Sequence, residues 1–107
     1  MLETKYTTNN EQETIVLGKK FAKELNLGDI VYLYGDLGSG KTEFIKGICE
    51  FFEVDDLVTS PTFTIMNKYM GELKNHEIPI FHIDLYRIEK NNELNEILSL
   101  VYAVLFA

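Results

Sequence analysis

The residues from Gly35 to Thr42 carry the clearest chemical signal in this sequence of 107 residues. They fit G-x-x-x-x-G-K-[ST], the pattern of a Walker A phosphate-binding loop. Glycines let consecutive backbone N–H groups point at a phosphate, and the dipole of the following helix adds positive charge. The pattern therefore predicts a nucleotide site made of Gly35, Asp36, Leu37, Gly38, Ser39, Gly40, Lys41 and Thr42.

Three side chains have separate predicted roles in this chemistry. Lys41 would reach the β- and γ-phosphates as a point charge, and the Thr42 hydroxyl would be a ligand of Mg²⁺, an ion that prefers oxygen. Asp84 ends the mostly apolar segment 80–84 and resembles a Walker B carboxylate, which holds Mg²⁺, often through a water. Lys41 and Asp84 are thus the candidate catalytic residues, and Thr42 and Asp84 the candidate metal ligands.

A third segment, Thr-Ser-Pro-Thr-Phe-Thr at 59–64, carries four hydroxyls between the loop and Asp84. In nucleotide switches, a hydroxyl in such a region can sense the γ-phosphate and Mg²⁺. The alternative is that these hydroxyls bond to local backbone groups. His82 shares a strand face with Asp84, because successive side chains alternate. A structural histidine is favoured there over a metal-binding pair.

The elements that must position these residues follow from periodicity and turn signals. Thr8 and Glu11 have capping-box spacing, which predicts a helix over 11–25. The β-rich run 30–34 predicts a buried central strand, and a second helix should begin near Lys41. Two extended segments, 62–70 and 78–86, flank a polar turn at 71–77 and could pair as an antiparallel hairpin. This order predicts an α/β sheet with helices on its faces.

Composition limits the function classes. A net charge of −7 with one arginine, Arg87, argues against tight, sequence-independent nucleic-acid binding by this chain alone. One cysteine, Cys49, excludes an internal disulfide and suits a cytoplasmic protein. No apolar run approaches the ~20 residues of a membrane span, and residues 1–10 do not resemble a signal peptide. We expect one nucleotide-binding domain over residues 1–107.

The three segments together resemble the TsaE (YjeE) family, small bacterial P-loop ATPases of tRNA threonylcarbamoyladenosine biosynthesis. The likeness is carried by the loop with Glu43, Phe44 and Gly47 after it, by Val-Thr-Ser-Pro-Thr-Phe-Thr at 58–64 and by His-Ile-Asp-Leu-Tyr-Arg at 82–87. It covers about residues 3 to 98. It implies a P-loop NTPase fold with a mixed, mainly parallel sheet flanked by helices, and ATP, ADP and Mg²⁺ as ligands. It also implies that the hydroxyls around Ser60 and Thr62 are switch-like residues, with Thr62 in contact with the nucleotide.

The resemblance also implies a function. The chain would bind and hydrolyse ATP as a subunit acting with the TsaB–TsaD pair, meeting tRNA only indirectly, with no membrane or DNA partner. Family members carry further C-terminal elements with a Glu-Trp pair, whereas this sequence has no tryptophan. It is therefore expected to be truncated and incomplete after about residue 98. The uncharged tail from Leu100 to Phe106 has an aggregation-prone composition.

A second hypothesis, from a different functional class, stays open. Leu85 follows Asp84 where many ATPases place a glutamate, so the chain could be a nucleotide-gated binding module with little or no turnover. A small-molecule kinase is disfavoured because its lid typically needs several arginines. A GTPase is disfavoured because the nearest match to Asn-Lys-x-Asp, at 67–70, ends in Met70.

Overall fold

The computed structural model describes residues 3–35, 39–59, 66–85 and 101–106. Among them the strands form one sheet in the order β1-β4-β3-β2, and the chain has the predicted α/β composition. Neither helix in these ranges has the length and apolarity needed to cross a membrane. In chain order the elements are α1 (Glu11–Ala22), β1 (Ile30–Tyr34), α2 (Lys41–Phe51), β2 (Met66–Leu73), β3 (His76–Asp84) and β4 (Val101–Phe106).

The strand directions differ from the mainly parallel sheet that was expected. Within the described sheet every neighbouring pair is antiparallel. One cause is the β2–β3 hairpin, and the other is that β4 lies between β1 and β3 and runs against both. Because β1 and β3 are each antiparallel to β4, they run in the same direction without being neighbours.

The apolar tail forms the interior strand β4. Val104 and Phe106 are fully buried, and the rings of Phe52 and Phe106 lie 5.3 Å apart between centroids. The Phe106 N–H donates a hydrogen bond of 3.2 Å to the Asp29 carbonyl. The segment whose β propensity looked aggregation-prone therefore pairs with β1 and β3 inside the sheet.

The helix α1 begins at Glu11, as predicted, but its cap is not Thr8. Its N-cap is Asn10, whose side-chain oxygen accepts a hydrogen bond of 2.8 Å from the Glu13 N–H. The Glu13 carboxylate in turn accepts one of 2.9 Å from the Asn9 N–H. Asn10 and Glu13, rather than Thr8 and Glu11, therefore form the capping hydrogen bonds at the start of α1. The helix ends at Ala22, short of the predicted Leu25.

The predicted hairpin is confirmed, but its turn is tighter than expected. Only Lys74 and Asn75 connect the strands, and Leu73 pairs with His76. Both turn residues have positive φ, 51° and 67°, as in the type I′ turn whose twist matches the flanking strands. The residues on either side therefore continue the ladder instead of forming a long loop.

Helices and strands share one core, and on the opposite sheet face Met66 and Met70 of β2 are exposed. Ile45, Ile48 and Cys49 of α2 and Phe52 just after it are buried in this core. The strand β1 is not the buried central strand that its sequence predicted. It lies at the end of the described sheet and exposes one of its two faces, so that Tyr32 and Tyr34 are 53% and 68% exposed.

Glycines let α1 and α2 pack closely. A Cβ added at Gly47 would lie 1.9 Å from the Ile15 carbonyl oxygen, and one at Gly18 would lie 2.1 Å from that of Phe44. Such distances are far inside van der Waals contact, so only glycine permits this approach. The contact fixes the helix that follows the candidate phosphate loop against its neighbour.

Candidate functional site

The candidate phosphate loop joins β1 to α2, as its pattern requires. Gly35 follows the last residue of β1, and α2 begins at Lys41, where the sequence predicted it. Gly40 is the N-cap of α2 with φ of 101°, in the left-handed region that favours glycine. It brings no side chain to cap the helix, so backbone N–H groups and the helix dipole define the local electrostatics. Asp36, Leu37 and Gly38 lie outside the described residues.

Lys41 connects the two ends of the loop. Its ammonium group donates a hydrogen bond to the Gly35 carbonyl. Gly35 also lies close to Ser39, because a Cβ added at Gly35 would be 2.5 Å from the Ser39 hydroxyl oxygen. The cation is thus held over the loop, where it would pair with a bound phosphate.

The sheet register places Asp84 at the same end of the sheet as the loop. Tyr34, the last residue of β1, pairs with Val101 of β4. Asp84, the last residue of β3, pairs with the next residue, Tyr102. Since neighbouring strands are ~4.8 Å apart, the two strand ends are separated by about 10 Å across β4. The fold therefore brings the loop and Asp84 to one edge, although β1 and β3 are not neighbours.

The predicted metal ligands occupy different environments. Thr42 is half-buried in the first turn of α2, and Asp84 is buried at 9% exposure. Within the described residues no group of three or more His, Cys, Asp or Glu side chains gathers as a metal cluster. A magnesium ion here would depend on the threonine hydroxyl, Asp84 and the phosphates themselves. The candidate switch residues Ser60 and Thr62 lie outside the described residues.

His82 is a fully buried residue on the face of β3 that carries Asp84. Burial lowers the pKa of His82 to about 4, so the imidazole is neutral at physiological pH. Its ring centroid lies 6.4 Å from that of Tyr69, whose pKa is raised by burial. These surroundings agree with the structural histidine that the sequence favoured.

Tyr69 also anchors the start of the hydroxyl-rich segment. Its hydroxyl donates a hydrogen bond of 3.1 Å to the Thr59 carbonyl, and the Asn67 amide donates one of 3.0 Å to the same oxygen. Two side chains of β2 thus fix the residue that enters the segment. The sequence contained no signal for this anchor, because neither residue belongs to a recognisable motif.

A cavity of about 320 Å³ beside the loop was not predicted. It is lined by residues 8–11 and Thr14 on one side and by Ser39, Gly40 and Glu43 on the other. A Cβ added at Gly40 would lie 3.4 Å from the Thr14 methyl carbon, so α1 borders the loop directly. Capping patterns explain residues 8–11 on their own, and for this reason the sequence did not indicate a second role.

Comparison with known proteins gives one consistent family. The family model for "Threonylcarbamoyl adenosine biosynthesis protein TsaE" matches residues 8–104. The TsaE protein of Bacillus subtilis is 40% identical over 93 residues, which are 87% of this chain and 56% of that protein. The TsaE protein of a Nostoc species is 36% identical over 92 residues, covering 86% and 54%.

Further relatives show a similar sequence identity to this chain and a similar coverage of it. The TsaE protein of Rickettsia conorii is 40% identical over 93 residues, which are 86% of this chain and 51% of that protein. The chain thus spans about half the length of the curated relatives it matches. No solved structure matches it.

Proposed function

Because the chain belongs to the TsaE family, we propose that it binds ATP with Mg²⁺ and hydrolyses it for tRNA threonylcarbamoyladenosine biosynthesis. It acts in the cytoplasm with the TsaB–TsaD protein pair and meets tRNA only indirectly. The names of its relatives support the pathway. The identity of the nucleotide, the identity of the protein partners and the hydrolysis of ATP are what we propose.

The observation that carries the proposal is the loop between β1 and α2. Its lysine donates to the Gly35 carbonyl, and its last glycine has the φ that a phosphate-binding turn uses. A nucleotide phosphate at the start of α2 would meet backbone N–H groups, the helix dipole and the Lys41 cation together. We accordingly assign Gly35, Ser39, Gly40, Lys41 and Thr42 to phosphate binding, with Asp36, Leu37 and Gly38 as the remaining loop residues.

The residues present also fit a magnesium ion. A hard divalent cation takes oxygen ligands and keeps several waters, and Thr42 and Asp84 supply a hydroxyl and a carboxylate. Asp84 is the last residue of β3, and Thr42 lies in the first turn of α2, after the loop that follows β1. When bound, Mg²⁺ would neutralise charge on the phosphates. Thr62 remains the proposed contact from the switch-like segment.

The family implies that this nucleotide-binding domain has the P-loop fold. The parallel direction of β1 and β3 and the helix after the loop agree with that fold. Within the described residues, all neighbouring strands are nevertheless antiparallel. We therefore propose a single P-loop nucleotide-binding domain over residues 1–107.

A nucleotide-gated binding module is the second candidate. Leu85 follows Asp84 at the end of β3, where many ATPases place a glutamate. Within the described residues, no group of three or more His, Cys, Asp or Glu side chains could hold a metal ion. Such a module would bind ATP and dock the partner pair without turnover.

Mg-ATP affinity and phosphate release, measured with and without the TsaB–TsaD pair, test both candidates. We expect Lys41→Ala to weaken ATP binding at least about tenfold, since it removes a charge-assisted hydrogen bond. Asp84→Asn should retain metal-free ATP binding and lose Mg²⁺-dependent turnover. Lys19→Ala is the matched control, because Lys19 is exposed on α1. Binding without turnover in either condition favours the module, and wild-type behaviour of both site variants refutes the site.

A further inference from the structure

The outer side of α1 combines basic and apolar residues. The close approach of Gly18 to α2 fixes the inner side of this helix, and the residues about half a turn away face outward. These outward residues are all exposed and recur at helical spacing: Gln12, Val16, Lys20 and Lys23. Lys23 is the C-cap and keeps helical backbone angles, so it extends the same stripe.

A mostly apolar cavity of about 310 Å³ opens on this stripe. Its described lining includes Tyr6, Val16 and Lys20 but no residue of the loop 35–42. Tyr6 and Val16 are 69% and 43% exposed, so large apolar side chains meet water here. Since a cavity of roughly 150 Å³ takes one benzene ring, this one has room for a bulky apolar side chain. The cavity and the stripe together form what we call the outer α1 surface: Tyr6, Gln12, Val16, Lys20 and Lys23.

The charge of this surface is opposite to that of the whole chain. The chain has a net charge of −7, whereas the surface carries two lysines and no carboxylate. Glu13 and Glu24 lie on the flank of the stripe, about 60–80° around the helix axis from Val16. Glu13 already accepts hydrogen bonds from the Asn9 N–H and the Asn10 amide. The helix dipole favours lysines near the C-terminus of α1 at any angle, so it does not explain why two of them share a stripe with an apolar cavity.

These features favour a protein segment over a nucleic acid as the occupant. Phosphates would pair with two lysines but gain nothing from an apolar cavity, and a chain of this net charge repels a polyanion. A segment with an apolar side chain between carboxylates uses both features. Its side chain would fill the cavity as an anchor, and its carboxylates would pair with Lys20 and Lys23.

We propose that the outer α1 surface docks an acidic segment of a protein partner, with an apolar anchor beside Tyr6 and Val16. The inference rests on the proposed function, in which the TsaB–TsaD pair is the partner. The cavity at this surface has no loop residue in its described lining. Substitutions here should therefore change docking without changing phosphate binding.

Calorimetric titration of the full chain with the TsaB–TsaD pair, at saturating Mg-ATP, tests the inference. Val16→Glu places a carboxylate at the cavity, so the pair should bind this variant at least about tenfold more weakly. The double change Lys20→Glu with Lys23→Glu reverses the charge and should weaken binding to a similar extent. All three positions are exposed, so Tm and Mg-ATP affinity should stay at their wild-type values.

Two matched controls should bind the pair like the wild type. Lys74→Glu makes the same charge change at an exposed position in the β2–β3 turn, and Val16→Ile keeps the cavity apolar. Unchanged affinity for the pair in both surface variants would overturn the docking surface and leave the partner proposal standing. If the wild type does not bind the pair, the partner in the proposed function is refuted, and this inference with it.

Two other occupants would give different results. Wild-type binding of tRNA that is lost in the double lysine variant and kept in Val16→Glu would indicate a phosphate contact and overturn the protein segment. A concentration-dependent dimer in sedimentation, lost in Val16→Glu, would indicate a second copy of this chain and would also overturn it.

Discussion

Gly47→Ala changes the free energy of unfolding through helix propensity and through helix packing. These two contributions have opposite signs, so the substitution shows which of them is larger. In an exposed helix this change stabilises by about 1 kcal/mol. Here the new Cβ would lie 1.9 Å from the Ile15 carbonyl oxygen and 2.8 Å from the Lys19 backbone nitrogen. Both are backbone atoms that no rotamer change can move. Ordinary contact begins near 3.4 Å, so the helices must separate by about 1.5 Å.

Overpacking of this kind typically costs ~1–3 kcal/mol, and a rigid backbone obstacle belongs at the upper end. After the gain in propensity is subtracted, we expect the free energy of unfolding to fall by about 2 kcal/mol. For a domain of this size that lowers Tm by roughly 10 °C.

Circular dichroism during thermal and urea unfolding measures the change. Glu50→Ala is the control, since Glu50 is exposed on the same helix and has similar propensity. An increase in Tm for Gly47→Ala, with the control unchanged, would show that α1 and α2 are not in close contact and would refute the reasoning.

Three further predictions concern burial. His82 has an unfolded pKa near 6.5 and a folded pKa of about 4, so the unfolded state binds more protons between these values. The free energy of unfolding should fall by about 3 kcal/mol as the pH falls from 6.5 to 4, and His82→Leu should lose that part of the pH dependence in urea titrations. Burial raises the pKa of Cys49 to about 12, so a thiol reagent at pH 8 should label it only as fast as the surrounding structure opens. Rapid labelling of the native protein would contradict this. Phe106→Ala should cost ~3–5 kcal/mol, measured by urea unfolding, whereas a loss below ~1 kcal/mol would place the ring outside the core.

Local patterns predicted the elements near the loop well. The strand at 30–34 follows from its β-branched and aromatic residues, and the start of α2 at Lys41 follows from the glycine-rich loop before it. The cap of α1 was misassigned because Thr8 and Asn10 both precede a glutamate by three residues. Propensity does not decide between two overlapping capping boxes, so only the structure identifies Asn10.

Long-range features could not be predicted from the same patterns. The run 30–34 is apolar on both faces, which is typical of a central strand, yet Tyr32 and Tyr34 face solvent. Which strand lies next to β1 depends on a pairing with residues about 70 positions away. The cavity between α1 and the loop likewise depends on the Gly18 and Gly47 contacts, and no local pattern encodes that proximity.

The position of β4 links the tail to the candidate chemistry. The loop follows β1 and Asp84 ends β3, but β4 is the neighbour of both strands in the described sheet. The spacing between the proposed phosphate and magnesium residues is therefore set by the pairing of Tyr34 with Val101 and of Asp84 with Tyr102. A one-residue slip of β4 against either partner would turn its side chains to the opposite face and expel Val104 and Phe106 from the core. Burial of these two residues thus fixes the register, and the register fixes how far Asp84 lies from the loop.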